Sequence, residues 1–594
     1  MPDCHPGMVR VEAWCPFLNN SPAGVAMSRT AVFAAIILTF FRGSLLAEPG
    51  EHTMIPKALE ELPDAAENSK NPSVAVSALG LYLETGGDMG SAVTAKTIIE
   101  FSRKRSIGHK AIVLPAFYDV DKLTPNILKA ADGELAAQII AARAYLNILA
   151  APDAQPVIRK KGNAKKKKGS GTPGDMQAFK PKIPDDLFRS KSRTSQYLAI
   201  LAAAYSQQPE YQAQVEGVQD STGEIMAAKI LYQVMLGKTP DDKAIANAYA
   251  KCLIQSGRPI EGDSTRLSEV DMNVPGMATL MEAVGRAGDE KYLELAVKSL
   301  TFKDERVRID AVRALRRIGD PRTVPALAGV LEHASWPQLI EICLALGEMP
   351  AKESIEPLMR RFKAETGRFR LDVNYALSSI AGERKGIVAE EWAKWWAASK
   401  TSFVVDAAKS AAFREKVRLQ DVGVMQNGIF YSIGIYSDHC AFAVDFSNSM
   451  QGDQIKSLRE KMKDAISGLR DSVYFNIIDF GGDVNVMCPG TLTRSKNKAD
   501  TYIYDARLTG GTRSMDAIDQ GMFLPGVDTL YFLSDGAPIR GQMDNWRGIH
   551  VLIRFQNRYR PVAISTICFK AGKKNAVSMA EMARQNYGHT EEIE

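Results

Sequence analysis

The strongest constraint on the fold is a helical pattern that repeats between residues 291 and 400. Pro325, in the segment VPALAGVL, recurs 32 residues further on as Pro357 in IEPLMRRF. The partner helices close with apolar residues at matching places, which are Ile318, Leu346 and Ile380. A helix pair of this length cannot bury its apolar face alone, so successive pairs must stack side by side. The pattern therefore predicts an all-α solenoid.

The segment VRIDAVRALRRIGDPRTVPAL, residues 307–327, resembles a HEAT repeat. The resemblance implies three stacked helix pairs over residues 291–400. The helices of residues 191–290 are either degenerate repeats or a separate helical domain. The pattern ends in three tryptophans at helical spacing, which are Trp392, Trp395 and Trp396. Tryptophans grouped in this way are normally buried, so we interpret them as a cap on the last apolar face rather than as an exposed binding patch.

The chain begins with a short apolar run that suits an export signal. Residues 31–41 are apolar and follow Arg29, and the small residue Ala47 marks a cleavage position. A run of this length is too short to span a bilayer but fits the core of a signal peptide. The sequence predicts a signal region at residues 1–47, with Met27 as an alternative start. It also predicts an exported protein, periplasmic, secreted or at the cell surface. An uncleaved anchor or a buried helix is the alternative.

Residues 48–152 have helical periodicity, with short helices predicted at 74–84 and 92–103. The clearest case is ELAAQIIAARAYLNIL, where apolar residues fall on one helix face. They are Leu135, Ile139, Ala142, Leu146 and Leu149. Residues 153–190 then break the pattern with lysines and glycines, which predicts a basic flexible linker.

The composition excludes several classes of partner and structure. The net charge is only +5, and the lysine-rich linker has no interleaved aromatic side chain that would stack on bases. We therefore favour a solvated tether over contact with nucleic acid, anionic lipid or cell-wall polymer, and expect no specific nucleic-acid partner. Beyond the leader, no stretch is long and apolar enough to span a membrane, and the scattered cysteines show no disulfide framework.

The pattern changes to alternating strands and helices after a connector at residues 401–436, in which FYSIGIYSD is predicted as a short strand at a sheet edge. Five apolar runs predict strands, at 440–444, 473–478, 484–487, 529–533 and 562–569. Amphipathic segments predict helices at 454–469, 513–522, 545–559 and 576–587. Residues 437–594 are therefore predicted to form an α/β domain with a doubly wound, mainly parallel sheet. Ligands bind such sheets beyond the carboxyl ends of the strands.

Polar side chains lie at these strand ends. The first strand runs into Asp445, Ser447 and Ser449, the segment LTGGT ends in Thr512, and a later strand ends in Asp535. Carboxylate and hydroxyl oxygens suit hard cations rather than zinc or copper. The two glycines before the threonine let the backbone approach closely. The sequence therefore predicts a site for Mg²⁺, with Mn²⁺ or Ca²⁺ as alternatives.

The combination of D-x-S-x-S with a distant threonine and a distant aspartate is the metal-ion-dependent adhesion site of the von Willebrand factor A family. Residues 437–594 resemble this family. The matching positions are Asp445, Ser447, Ser449, Thr512 and Asp535. By analogy, the two serines and usually the threonine contact the metal, and the two aspartates act largely through bound water.

One position departs from the family pattern, because Asn448 stands where the family usually has glycine. If the backbone requires a positive φ there, asparagine tolerates it better than most residues, so the site is expected to survive. The ending LSSIAG followed by W-x-x-WW is similar to bacterial proteins that join HEAT repeats to a von Willebrand A domain. The resemblance thus extends to the arrangement of both parts of the chain.

These features predict a metal-dependent protein-binding scaffold. Neutral hydroxyl ligands leave a cation under-neutralised, so an open coordination position can accept an Asp or Glu carboxylate from a protein partner. The solenoid is predicted to be a second binding surface. A structural assembly protein with a stabilising or vestigial metal site is the alternative.

An enzyme is not expected. The sequence has no H-E-x-x-H, G-x-S-x-G or Walker motif. A triad of Ser447, Asp535 and His439 would place the histidine at the opposite end of the sheet from the serine. A magnesium-dependent hydrolase is a third hypothesis, for which the sequence offers no general base.

Overall fold

A computed structural model describes residues 133–150, 180, 182–255 and 276–593. The predicted signal region, the predicted helices at 74–84 and 92–103 and the lysine-rich run of the predicted linker lie outside these residues. Within the described residues no helix is long and apolar enough to cross a membrane.

The first part of the described chain is helical. Its helices are α1 Gly133–Ala150, α2 Asp185–Phe188, α3 Arg193–Tyr205, α4 Gln212–Gly217, α5 Gly223–Met235, α6 Asp242–Gln255, α7 Gly276–Ala287, α8 Leu293–Ser299, α9 Glu305–Ile318, α10 Val324–Val330, α11 Trp336–Glu348, α12 Ile355–Ala364, α13 Phe369–Ala381, α14 Ala389–Ser399 and α15 Ala407–Lys416. Each odd-numbered helix from α1 to α15 packs against the next odd-numbered helix, and together they form one continuous row. The predicted solenoid is confirmed, and its row of helices extends back to Gly133. The helices of residues 191–290 therefore belong to the same stack.

Local sequence signals explain where these helices begin and end. Helix α9 begins after Asp304, whose carboxylate accepts a hydrogen bond from the Arg306 amide, and ends at Gly319 in the left-handed conformation. Both are common helix caps. Close packing between neighbours requires small residues, since a Cβ on Gly285 would lie 2.7 Å from the Cα of Ala314.

Two segments of the helical part differ from the simplest sequence pattern. Helix α2 lies in the stretch 153–190 assigned to the linker, and its Leu187 and Phe188 are buried. Helix α1 buries more than the predicted face, because Ala137 and Ile140 are also inaccessible. The reason is that α1 is covered by α3 on one side and by a helix of the C-terminal domain on another.

The tryptophan cluster closes the end of the solenoid. Trp392 is fully buried and donates its indole N–H to Asn374 Oδ1 at 2.8 Å. Trp396 is nearly as buried and donates to Glu356 Oε1 at 2.9 Å. Partly buried Trp395 packs edge-on against Trp392, with ring centroids 5.4 Å apart. These contacts are those of a cap, with the polar N–H groups satisfied.

The connector contains a hairpin of its own. Among the strands that the structure describes, β1 Gly428–Phe430 pairs only with β2 Ile433–Ile435, in antiparallel register. The prediction that FYSIGIYSD pairs at the edge of the main sheet is therefore wrong. Tyr431, in the intervening turn, has φ of +54° and folds the chain back on itself. The buried ring of Phe430 then packs edge-on against Phe442, at 5.4 Å, on one face of the main sheet.

The C-terminal domain is built on a six-stranded sheet with strand order β5-β4-β3-β6-β7-β8. Its elements are β3 His439–Asp445, α16 Asp453–Gly468, β4 Tyr474–Phe480, β5 Val484–Val486, α17 Lys496–Asp505, α18 Ser514–Met522, β6 Thr529–Ser534, α19 Trp546–Gln556, β7 Ala563–Phe569, α20 Gly572–Gln585 and β8 Thr590–Ile593. Neighbouring strands are parallel except β4 and β5. Alternate residues of β3 enter separate apolar cores on the two faces. The predicted doubly wound, mainly parallel sheet is confirmed.

Two elements of this domain were not predicted, namely α17 and β8. Helix α17 has the sequence KNKADTYIYD and buries only Ala499 and Ile503, so its apolar pattern is short. Strand β8, with the sequence TEEI, lacks the apolar run expected of a buried strand. Within the described part of the chain it pairs only with β7, at the edge of the sheet, where polar residues are tolerated.

The C-terminal domain docks on the solenoid through the turn that follows α19. Arg558 donates to Glu282 Oε2 of α7 at 3.0 Å, and the Tyr559 hydroxyl donates to Asp310 Oδ2 of α9 at 2.7 Å. In return, Arg313 donates to the carbonyl oxygen of Arg558 at 2.6 Å. This part of the solenoid surface is occupied by the chain's own domain, so it cannot serve as the predicted second binding surface while the domains are docked.

Asp372, on α13, provides a test of charge burial in this fold. It is buried, and its Oδ2 has no hydrogen-bond partner among the described residues. Burial raises its pKa to about 6, although Arg368 lowers it. The folded-state pKa lies above the unfolded value, so this group reduces stability as the pH rises from about 4 to 6.

Asp372→Asn is therefore expected to raise the free energy of unfolding by about 1–3 kcal/mol at pH 8, with no gain at pH 4. Urea denaturation of the full chain at both pH values would measure the difference. Asp464→Asn, at an exposed position of α16, is the matched control. An equal effect of Asp372→Asn at the two pH values would contradict the assignment.

Candidate metal site

The candidate site lies where the direction of strand connection reverses. Strand β3 has β4 on one side and β6 on the other, and both are parallel to it. Val444 is in register with Leu533, so Asp445 and Ser534 meet at the carboxyl edge of the sheet. Ligand sites of open α/β sheets form at this kind of switch point.

Four of the five predicted residues form one hydrogen-bonded chain. Asp445 Oδ1 accepts from the Ser447 amide at 2.8 Å. The hydroxyl oxygens of Ser447 and Ser449 are 2.9 Å apart, and Ser449 donates to Asp535 Oδ1 at 2.9 Å. The second carboxylate oxygen of Asp445 accepts from Ser534 Oγ at 2.6 Å. The sheet thus brings together oxygens that are 90 residues apart in the chain.

Thr512 reaches the same edge through the loop that begins at Thr509. The Asn448 amide donates to the carbonyl oxygen of Thr509 at 3.0 Å, and the Thr509 amide donates to that of Phe446 at 2.9 Å. Gly511, with φ of +103°, then turns the chain into the buried Thr512. No hydrogen bond joins the Thr512 side chain to the other four residues in the described part of the chain. The loop, rather than a side-chain contact, positions this residue.

Two further residues, Ser534 and Thr509, support the five predicted ones in the structure. Ser534 is a polar residue at the end of the apolar run TLYFL, which was a visible signal. Thr509 accepts a hydrogen bond at Oγ1 from the Gly482 amide at 2.9 Å. A Cβ on Gly481 would lie 2.4 Å from this same Thr509 oxygen. Thr509 therefore joins the loop after β4 to the site, a contact that no local pattern indicates.

The substitution at Asn448 creates no backbone strain. Asn448 is absent from the residues with positive φ, and it begins a short 3₁₀ turn, Asn448–Met450. Its side chain is exposed. The backbone at Asn448 is therefore not left-handed, so this position does not require glycine.

The electrostatics of the site favour a bound cation. Burial, together with the nearby charge of Asp535, raises the pKa of Asp445 to about 6, against the hydrogen bonds from Ser447 and Ser534, which lower it. Burial also raises the pKa of Asp535. Neither carboxylate forms an ion pair with a Lys, Arg or His side chain among the described residues. A divalent cation would neutralise both groups at once.

The donor set fits a hard cation. It has two carboxylates, and the remaining oxygens are hydroxyls, which suit Mg²⁺, Mn²⁺ or Ca²⁺. The described residues contain no cluster of three or more His, Cys, Asp or Glu side chains that could hold a metal ion, so a cation at this site would depend on the hydroxyl oxygens as well. His439 is the first residue of β3, whereas Asp445 is the last. The strand separates them by roughly 20 Å, so His439 cannot act with Ser447.

Comparisons with known proteins match separate parts of the chain. The HEAT repeat family model matches residues 268–341. Inter alpha-trypsin inhibitor, heavy chain 4, from Mus musculus is 29% identical over 121 residues, which cover 18% of this chain and 13% of that protein. The chain thus matches only a small part of that relative's length.

Solved structures give partial similarities. Proximal thread matrix protein 1 from the mussel byssus has 19% identity and a TM-score of 0.21, over 26% of this chain and 40% of that chain. An engineered protein has 14% identity and a TM-score of 0.25, over 67% of this chain and 99% of that chain.

The fold and the HEAT match define the class of protein. It is a helical-repeat chain that ends in an α/β domain with a mostly parallel six-stranded sheet. The predicted combination of HEAT repeats with a C-terminal domain similar to von Willebrand factor A is confirmed.

Proposed function

We propose that this chain is a non-enzymatic scaffold that binds a protein partner through a divalent cation held by Asp445, Ser447, Ser449, Thr512 and Asp535. The observation that carries the proposal is a buried, unpaired carboxylate, Asp445, linked by hydrogen bonds through two serines to a second carboxylate. The cation is Mg²⁺, with Mn²⁺ or Ca²⁺ as alternatives.

The site is accessible to a partner on one side only. Asp445, Ser447 and Thr512 are buried, whereas Ser449 is exposed and Asp535 is partly exposed. A cation held by these buried oxygens would keep its open coordination position towards solvent. Because most of its protein ligands would be neutral hydroxyls, it would retain positive charge and attract an Asp or Glu carboxylate.

The solenoid supports this role by holding the metal-binding domain in a fixed orientation. The docking contacts of Arg558 and Tyr559 with α7 and α9 are partly buried and buried, respectively, and they leave the carboxyl edge of the sheet outside the interface. The remaining solenoid surface is the proposed second binding surface. The signal region predicted at residues 1–47 places the protein outside the cytoplasm in this proposal.

Capture on immobilised peptides tests the proposed function. The full chain is expected to bind Glu-containing peptides at least tenfold more strongly than Gln-containing ones in Mg²⁺, and to lose this preference in EDTA. Ser449→Ala is expected to weaken the Mg²⁺-dependent binding about tenfold, because it removes a metal ligand and the bond to Asp535.

Ser467→Ala, at an exposed hydroxyl of α16, is the control for this capture experiment. Glu-selective binding that persists in EDTA would rule out the role of the cation. If Ser449→Ala lowered the melting temperature in Mg²⁺ without changing peptide binding, the structural assembly alternative would be favoured instead.

A further inference from the structure

An exposed aliphatic side chain lies directly beside the candidate metal site. Ile539 is 56% exposed. It forms a two-residue antiparallel bridge with Thr512, in which each amide donates to the other's carbonyl oxygen at 2.9 Å. Side chains of residues paired in this way are about 5 Å apart at Cβ. The isoleucine therefore stands next to a residue of the site.

The backbone of the segment that carries Ile539 has a constrained conformation. Arg540 has φ of +78° and Gly541 has φ of +95°. A Cβ on Gly541 would lie 2.2 Å from Asp516 Oδ2. The same carboxylate oxygen accepts a hydrogen bond from the Gln542 amide at 3.3 Å. A non-glycine residue with positive φ is costly, and it persists only where the surrounding structure imposes it.

The apolar surface extends from Ile539 towards the glycine loop. The Cδ methylene of Arg540 would lie 3.4 Å from a Cβ on Gly511, so the aliphatic part of the arginine runs beside the residue that precedes Thr512. Ile539 and this stem form a shelf at the rim of the site, which we call the Ile539 shelf. Among the described residues, Ile539 remains 56% exposed on this shelf.

We propose that the metal face selects partners in which the carboxylate that reaches the cation has an aliphatic or aromatic side chain next to it, and that this side chain packs on the Ile539 shelf. The inference rests on the proposed function, because the cation is what brings the partner's carboxylate to this edge. The charge of the cation attracts the acidic group, and the adjoining apolar surface then favours a partner that covers it.

Three peptides test the inference against the full chain in Mg²⁺. Each has a Gly-Ser background and a central position that is Glu flanked by Leu, Glu flanked by Ser, or Gln flanked by Leu. The Leu-flanked Glu peptide is expected to bind about tenfold more tightly than the Ser-flanked one, since covering about half of an isoleucine has an effect of this size.

Ile539→Ser is expected to remove the preference for Leu and leave Mg²⁺ binding, measured by calorimetry, unchanged. Ile539→Leu should retain the preference. Val577→Ser, at a 61% exposed valine on α20, is the matched control and should bind all three peptides as the unaltered chain does.

The two proposals fail in different ways. Equal binding of the Leu-flanked and Ser-flanked Glu peptides, with Mg²⁺ still required, would overturn the role of the Ile539 shelf alone. An unchanged Leu preference in Ile539→Ser would do the same. If the full chain showed neither Mg²⁺ binding nor any preference for Glu over Gln, the proposed function would fall and this inference with it.

Discussion

Replacing Asp445 with alanine is expected to abolish saturable Mg²⁺ binding. Asp445 is fully buried at the end of β3, and its two oxygens orient the Ser447 amide and the Ser534 hydroxyl. Its negative charge is the part of the donor set that is most shielded from water, so its loss removes the strongest attraction for the cation. Calorimetric titration of the full chain measures the loss directly.

Stability supplies a second measurement of the same substitution. A ligand at 100 times its dissociation constant raises the free energy of unfolding by about 2.7 kcal/mol. The unaltered chain should show a Mg²⁺-dependent gain of this kind, and Asp445→Ala should show none. Without Mg²⁺, Asp445→Ala should lower the free energy of unfolding by no more than about 1 kcal/mol. The loss is small because the substitution removes a buried charge that has no ion-pair partner.

Asp445→Asn is the conservative companion to this substitution. It keeps the shape of the side chain and removes its charge, so it should also lose Mg²⁺ binding while keeping the loop intact. Asp464→Asn, on the exposed face of α16, should behave as the unaltered chain does. Mg²⁺ binding of normal affinity in Asp445→Ala would refute the assignment of the site.

Arg558→Ala is expected to lower the free energy of unfolding by about 1.5–3 kcal/mol, because it removes a charge-assisted hydrogen bond to buried Glu282 and a positive charge beside buried Asp310. Arg558 lies 3.0 Å from Glu282 and 3.5 Å from Asp310, and it stacks near the ring of Tyr145. Burial alone would raise the pKa of Glu282, but the charges of Arg558, Arg286 and Arg317 lower it to about 2. Glu282 therefore stays ionised, and Arg558 shares its charge with Arg286, which donates to Glu282 Oε1 at 2.9 Å.

Denaturant unfolding of the full chain, followed by tryptophan fluorescence, measures the effect of Arg558→Ala. Arg547→Ala removes an exposed arginine from the same helix α19 and is the matched control. Adding Glu282→Gln to Arg558→Ala should recover part of the loss, since the remaining buried charge is then removed as well. A change below about 1 kcal/mol in Arg558→Ala would show that this cluster does not hold the domains together.

Much of the secondary structure follows from local patterns. The apolar runs at 440–444 and 529–533 correspond to β3 and β6, and the predicted helix at 454–469 corresponds to α16. Hydrophobic periodicity and capping signals lie within a single helix or strand, so they can be identified without knowledge of the neighbouring elements. Helix α17 and strand β8 are not predicted from the sequence, because each buries too few apolar residues to form a recognisable hydrophobic pattern.

The candidate site was predictable in part for the same reason. The motif D-x-S-x-S at a strand end and the distant Asp535 could be identified, because parallel strands place their carboxyl ends at one edge. Ser534 is also visible at a strand end, but Thr509 and Ile539 could not be assigned to the site in this way. Their roles depend on the register of β3 with β6 and on the path of two loops.

The helical repeats, the α/β class of the C-terminal domain and the oxygen ligands at its strand ends are all evident from the amino-acid sequence, because these features depend on short-range periodicity and spacing. How the two parts meet is evident from the three-dimensional fold alone. Arg558 and Glu282 are 276 residues apart, and nothing local to either predicts their contact. A charged residue on a solenoid helix looks solvated in the sequence, and it becomes a buried partner only when another domain covers it.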